Sequence, residues 1–366
     1  MSSTAIVREE DVISALSTVN DPDLKRDLVS LNMIEDVKID GGDVSFTVVL
    51  TTPACPLKGV IEADCRKAVS TVDNVSNIEI NMSSRVVSTR GPANKQTLPG
   101  ARNLIAVGSG KGGVGKTTVT VNVALALAET GAKVGVLDAD ITGPNVPLML
   151  GVGGQPTGSN GKINPLVAYG IKVISIAFFV PDGQPIIWRG PMVGGAIQQF
   201  LRDVDWGDLD YLIVDLPPGT GDAALSLAQA IPLGGVVVVS TPQDVAVMDA
   251  SKSLSMFQKL EAPIIGFVEN MSQFICPHCG ERTDIFSYGG GERAAAETSM
   301  EFLGRIPLNP QIVFGGDHGV PVLVSHPESV ESEAFREVAS AIAARVSVLA
   351  VGSESKRPTW IPLRPV

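Results

Sequence analysis

The sequence predicts an α/β domain, a mostly parallel sheet covered by helices, preceded by a small α+β unit. Three observations carry this expectation. Beyond residue 102, apolar runs at 104–107, 133–137, 173–176, 212–214, 236–239 and 264–268 are polar on neither face and have helical stretches between several of them. That pattern belongs to parallel strands covered on both sides by helices. The first run leads directly into a glycine-rich turn that opens a helix, while residues 1–90 follow a different pattern of short strands and helices.

In that first unit, residues 9–19 carry helical apolar spacing at Val12, Ile13, Leu16 and Val19, broken by Asp21-Pro22. Residues 37–40 and 44–50 read as a hairpin, because Gly41-Gly42 supplies the positive φ its turn needs. A helix over 57–69 and a strand near 75–87 complete the unit. Residues 91–101 have linker composition. The second domain spans 102–350, with a helix over 118–129 closed by Gly131 and a long final helix over 328–348. Pro358, Pro362 and Pro365 make 351–366 a tail.

With 366 residues, 44% of them hydrophobic, the chain can bury a substantial core. No run of eighteen apolar residues occurs and the first ten residues lack an apolar signal region, so the expectation is a cytoplasmic protein without a membrane partner. A formal net charge of -11 argues against non-specific nucleic-acid binding, which needs a broad positive field. Four cysteines are too few for a disulfide scaffold in a chain this long and read as thiols or metal ligands.

The turn after 104–107 is Gly110-Lys111-Gly112-Gly113-Val114-Gly115-Lys116-Thr117. Its glycines let successive backbone N–H groups face phosphate oxygens, and the following helix adds its positive N-terminal dipole. Lys116 is expected to meet the β- and γ-phosphates of ATP and the Thr117 hydroxyl to ligate Mg²⁺, with Thr118 completing the nucleotide-binding run. A second strand must supply a carboxylate for the metal, and Asp215 stands where the 212–214 run ends. The loop 216–222 that follows, with two prolines and two glycines, has the makings of a γ-phosphate sensor. Asp138 and Asp140, alternate residues on an extended strand, share a face from which one can orient or activate the attacking water.

The run Lys111 to Thr117 resembles the deviant Walker A motif of the MinD/ParA/nitrogenase iron protein class. The resemblance implies that Lys111 reaches the nucleotide of a partner subunit, and hence an ATP-dependent homodimer. By position in that class, Asp140 acts on the water, Asp138 lies nearer the metal and Asn270 contacts adenine.

Cys276-Pro277-His278-Cys279 brings two thiols within reach of one metal. A zinc knuckle within one chain needs a second such pair, and none occurs. A redox dithiol lacks its thioredoxin-like context. Two chains about a two-fold axis would supply four thiolates, suited to a [4Fe–4S] cluster or to zinc, and spacing does not separate the two.

The stretches 188–192 and 206–222, with Cys276 and Cys279, closely resemble the Mrp/ApbC family over roughly 100–350. That family implies a P-loop ATPase that carries a [4Fe–4S] cluster on Cys276 and Cys279 of two subunits, accepts it from cluster donors and passes it to apo-proteins. It favours iron–sulfur over zinc, and leaves His278 outside the ligand set. The first ninety residues resemble a small metal–sulfur cluster biosynthesis domain through Asp21-Pro-Asp-Leu and Thr51-Thr-Pro-Ala-Cys55-Pro. Cys55 reads as a reactive thiolate, an auxiliary ligand or a small buried hydrophobe, and Cys65 as core packing.

Two other functions stand beside this one. A MinD- or ParA-like spatial regulator would need an amphipathic C-terminal helix or a basic face, against which stand the prolines of the tail and the acidic composition. A zinc-stabilised ATPase switch would use the same cysteines without cluster chemistry. Slow ATP turnover is expected, since a partner or cargo must complete the hydrolytic site.

Overall fold

The computed structural model describes residues 7–89, 100–141, 143–179, 190–230, 233–276 and 278–354. Most of the linker, Trp188 and Arg189 of the family motif, Pro277 and the tail beyond 354 lie outside the described residues. The chain divides into two compact units, one up to Thr89 together with the chain from Ser347, the other ending at Val346.

The smaller unit opens with α1 (Glu9–Leu16), which ends three residues short of the sequence periodicity and buries Val12 and Leu16. In its three-stranded sheet, β1 (Ile34–Asp40), β2 (Asp43–Leu50) and β3 (Asn77–Ser84) lie in that order. β1 and β2 form the expected antiparallel hairpin, with Gly41 at φ +62° in its turn. β3 is parallel to β2 and is reached through α2 (Lys58–Val69). Phe46, Val48 and Leu50 of β2 pack with Leu16, Ile61, Cys65 and Val69 in one apolar core.

The larger unit is built on a nine-stranded sheet. Its main elements are β4 (Ala101–Ser109), α3 (Lys116–Glu129), β5 (Val134–Asp138), β6 (Leu166–Ala168), β7 (Ile171–Ser175), α4 (Gly190–Asp203), β8 (Leu209–Asp215), α5 (Asp222–Ala230), β9 (Gly235–Ser240), α6 (Asp244–Lys259), β10 (Ile264–Ile275), β11 (Arg282–Thr283), α7 (Gly290–Glu297), β12 (Phe302–Leu308), α8 (Pro310–Asp317) and, last, the part up to Val346 of α9 (Val330–Glu354). The path runs β6-β7-β5-β8-β4-β9-β10-β11, with β12 beside β10. Only the β6/β7 and β10/β11 pairings are antiparallel. β9 is buried along its whole length, as a strand covered on both faces must be. Leu104, Leu212, Val214, Trp206 and Phe257 belong to the main core cluster, and Gly108 lets the Phe257 ring lie close against β4.

Other elements of this unit also differ from the sequence expectation. α3 begins at Lys116, not 118, because the loop feeds straight into the helix. β10 continues past 268 to Ile275, carried by pairing with β9, β12 and β11 that its own polar residues did not announce. β12 was missed, since Pro307 and Gly304 interrupt its apolar run. The final helix extends to Glu354.

Candidate functional site

The carboxyl ends of β4, β5 and β8 converge on the turn that opens α3. Strand register brings the acidic residues together: Asp138 on β5 is paired with Asp215 on β8, and Asp215 with Val107 on β4. The turn itself depends on glycine. Gly115 holds φ +78°, and a Cβ there would collide with the Asn270 side-chain amide. A Cβ at Gly110 would collide with the Asp249 backbone, so α6 can approach the turn only if this residue has no side chain.

Lys116 Nζ lies 2.7 Å from Asp215 Oδ2 and 3.7 Å from Asp140 Oδ2. Thr117 Oγ1 donates to Asp215 Oδ2 at 2.7 Å. Thr120, one helical turn beyond Lys116, donates from Oγ1 to Asp215 Oδ1 at 2.7 Å, so both carboxylate oxygens are held. Asp138 accepts from Ser175 Oγ at 2.9 Å and from the Asp140 N–H at 3.2 Å. Burial, and then the nearby charge of Asp215, push the Asp138 carboxyl up to about 8. Two buried acidic side chains, Asp215 and Asp140, thus lie within ion-pairing distance of one ammonium group, with the buried Asp138 beside Asp215. An all-oxygen donor set short of positive charge, with the Thr117 hydroxyl beside Asp215, fits Mg²⁺.

Gly112 and Gly113 are exposed, while Val114 is buried. Lys111 is half-buried and makes no ion pair among the described residues. The 216–222 loop is tied to the base of the turn, where the Gly219 N–H donates to the Ser109 carbonyl at 2.9 Å. Asn270 lies beside the turn, its Nδ2 donating to the Val114 carbonyl at 2.8 Å. A cleft of about 120 Å³ opens there, with Thr118, Asn270, Met271, Pro307, Asn309 and Ile312 among its lining residues. Every nucleotide-site candidate therefore falls in one neighbourhood. The sequence reading missed Thr120 and Ser175. The i+4 spacing of Thr120 from Lys116 was a usable signal, whereas Ser175 is disclosed only by its pairing with Asp138.

Cys276 and Cys279 sit elsewhere, at the tip of the hairpin formed by β10 and β11, where Phe274 pairs with Thr283 and Ile275 with Arg282. The Cys276 N–H donates to the Glu281 carbonyl and the Gly280 N–H to the Cys276 carbonyl, at 2.9 and 2.8 Å, with Gly280 at φ +72°. Hydrogen bonds from the backbone N–H groups of Cys279 and His278, then from the Cys279 thiol, lower the Cys276 thiol below its ordinary range. Cys276 is half-exposed and Cys279 exposed. Among the described residues, no three His, Cys, Asp or Glu side chains are grouped to hold a metal ion.

Glu269, also missed, is fully buried one residue before Asn270. Its carboxylate accepts from the N–H groups of Gly289 and Gly291 at 3.1 and 2.7 Å, with Arg305 Nε at 3.5 Å. In the smaller unit, Cys65 is buried in the core, and burial pushes its thiol to about 12. Cys55 is half-buried against that core, raised first by burial and then by Asp21 and Asp23.

Residues 100–343 match the family described as "NUBPL iron-transfer P-loop NTPase", and residues 9–80 match "Iron-sulfur cluster assembly protein". The chain is 50% identical to the "Iron-sulfur cluster carrier protein" of Synechocystis, over 93% of this chain and 98% of that protein. It is 40% identical to the protein of the same description from Escherichia coli K12, over 92% and 91%. Among solved structures, the ADP complex of a nucleotide-binding protein from Archaeoglobus fulgidus matches with a TM-score of 0.56 at 39% identity, covering 64% of this chain and 91% of that one. The Pyrococcus furiosus cell division ATPase MinD matches with a TM-score of 0.51 at 25% identity, over 66% and 98%. With a phosphate loop, converging carboxylates and a two-cysteine hairpin on the same parallel sheet, the chain belongs to the family of NUBPL iron-transfer P-loop NTPases, the Mrp/ApbC group.

Proposed function

We propose that this chain binds and hydrolyses ATP and carries a [4Fe–4S] cluster between two copies of itself, taking it from a donor and delivering it to apo-proteins. The observation that carries the reading is the cysteine hairpin. One chain presents two accessible thiols, one of them favoured as thiolate by amide N–H groups, and a cluster needs four. A second copy supplies the missing pair. The naming of the similar proteins from Synechocystis and Escherichia coli as cluster carriers supports the same cargo.

At the other site, the 110–117 turn holds the phosphates through its N–H groups. Lys116, now paired with Asp215, turns to the β- and γ-phosphates. Thr117, Asp215 and Asp138 form the Mg²⁺ set, and the ion when bound neutralises charge on the phosphate oxygens. Asp140 orients the attacking water. Lys111 extends to the partner's nucleotide, and Asn270 offers its Oδ1 to an adenine amino group. The protein works in the cytoplasm without a membrane or nucleic-acid partner. The net charge of -11 supports the part of this reading that concerns nucleic acid.

Anaerobic reconstitution with iron and sulfide tests the reading. The expected result is about one [4Fe–4S] per dimer, lost in the Cys276→Ser/Cys279→Ser variant. A full cluster in that variant would refute it. Zinc bound in place of iron would favour the structural switch instead.

A further inference from the structure

Between the phosphate loop and the cysteines lies a poorly fitted piece of β10. At Met271 the backbone takes φ +55°, a left-handed conformation that strains a non-glycine residue. Pairing with β12 slips at the same place: Asn270 faces Ile306, yet Phe274 faces Leu308, so β10 has extra residues and bulges. The Ser272 hydroxyl is fully buried and has no hydrogen-bond partner among the described residues. Strain, slipped register and an orphaned hydroxyl at adjoining positions mark a segment that its surroundings force into shape.

The neighbours on each side give this segment a direction. Upstream, Glu269 is clamped by two backbone N–H groups and Arg305, which fixes the strand to the start of α7. At the bulge, Asn270 is tied to the phosphate loop through the Val114 carbonyl, and Met271 lines the cleft beside it. Downstream, only Gln273, Phe274 and Ile275 separate the bulge from Cys276. The Asn270 tie therefore joins the loop to β10 between the Glu269 clamp on one side and the Met271 bulge and hairpin tip on the other.

We infer that the 270–272 bulge is the hinge through which nucleotide on the phosphate loop is felt at Cys276 and Cys279. The inference rests on the proposed function and names a regulatory route for it: ATP changes how the thiols are presented, and hence how firmly cargo is held. Met271 is a positioning residue in this scheme. Its strain biases the bend, and a residue at ease in the left-handed region would leave bound and free states with the same bend.

The test uses the full chain without cluster, kept anaerobic. The alkylation rates of Cys276 and Cys279 by iodoacetamide are read by mass spectrometry, with and without saturating Mg²⁺ and a non-hydrolysable ATP analogue. The wild-type rates should differ by at least about fivefold, the lower end of ordinary coupling between sites. In Met271→Gly the difference should fall below about twofold, since glycine adopts this φ without strain. Saturation removes any change in nucleotide affinity from the comparison. If the glycine variant does not fold, Met271→Asn, which also tolerates the left-handed region, carries the test with the same expectation. A wild type indifferent to nucleotide, or a folded variant that keeps the full response, overturns the inference. Reconstitution of the same preparations separates the two claims. A wild type that takes up its cluster while its thiols ignore nucleotide sinks the hinge alone, whereas a cluster retained by the double-serine variant sinks the carrier reading itself.

Discussion

Replacing Asp138 with Asn should stabilise the nucleotide-free protein at neutral pH and remove much of the pH dependence of its stability. Asp138 is fully buried and paired in register with Asp215, and burial, then that neighbouring charge, lift its carboxyl to about 8. In the unfolded chain the same carboxyl titrates near 4. Between these values the folded protein holds a proton that the unfolded chain has released, so rising pH favours unfolding, by about 1.4 kcal/mol per pH unit. From pH 5 to pH 7 the wild type should lose on the order of 2–3 kcal/mol from this group, and the loss should level off above pH 8. Asn carries no charge, can still accept from the Asp140 N–H, and can donate to Ser175 Oγ, a hydroxyl able to accept. Denaturant unfolding of magnesium- and nucleotide-free protein at a series of pH values gives the comparison. The gap between variant and wild type should widen with pH. Parallel pH profiles, or a variant less stable than wild type at pH 8, would refute the assignment of a protonated Asp138 beside an ionised Asp215.

Two other substitutions probe the same cluster. Lys116→Ala removes the ammonium 2.7 Å from Asp215 and should abolish ATP hydrolysis while costing about 3 kcal/mol of apo stability, because it strands a buried carboxylate; unchanged turnover in a phosphate-release assay contradicts the role given to Lys116. Thr120→Val deletes the 2.7 Å bond to Asp215 Oδ1 and should raise the Mg²⁺ concentration needed for half-maximal turnover about tenfold, with Thr120→Ser restoring it. An unaltered Mg²⁺ requirement in the valine variant would show that Thr120 does not position Asp215.

Much of the fold could be read from local pattern. The hairpin at Gly41-Gly42, the apolar runs and the strand–glycine turn–helix at 104–129 reflect residue chemistry within a few positions, which is the range over which backbone preferences act. Reading failed where pairing overrode preference. β12, interrupted by Gly304 and Pro307, is a strand because β10 lies beside it. The far half of β10 is polar and bulged, and neighbouring strands keep it extended.

The site divides along the same line. The phosphate loop, Asp215 after its apolar run and the Cys276/Cys279 spacing could be named from sequence, because each is a short motif whose chemistry needs those residues close along the chain. The Asp138–Asp215 adjacency, the Ser175 and Thr120 supports, the Asn270–Val114 tie and the Glu269 clamp were decided by the tertiary structure. Each joins residues far apart in sequence. Their meeting depends on strand order and register, which are settled when the whole sheet buries its faces and which no local window of the chain contains.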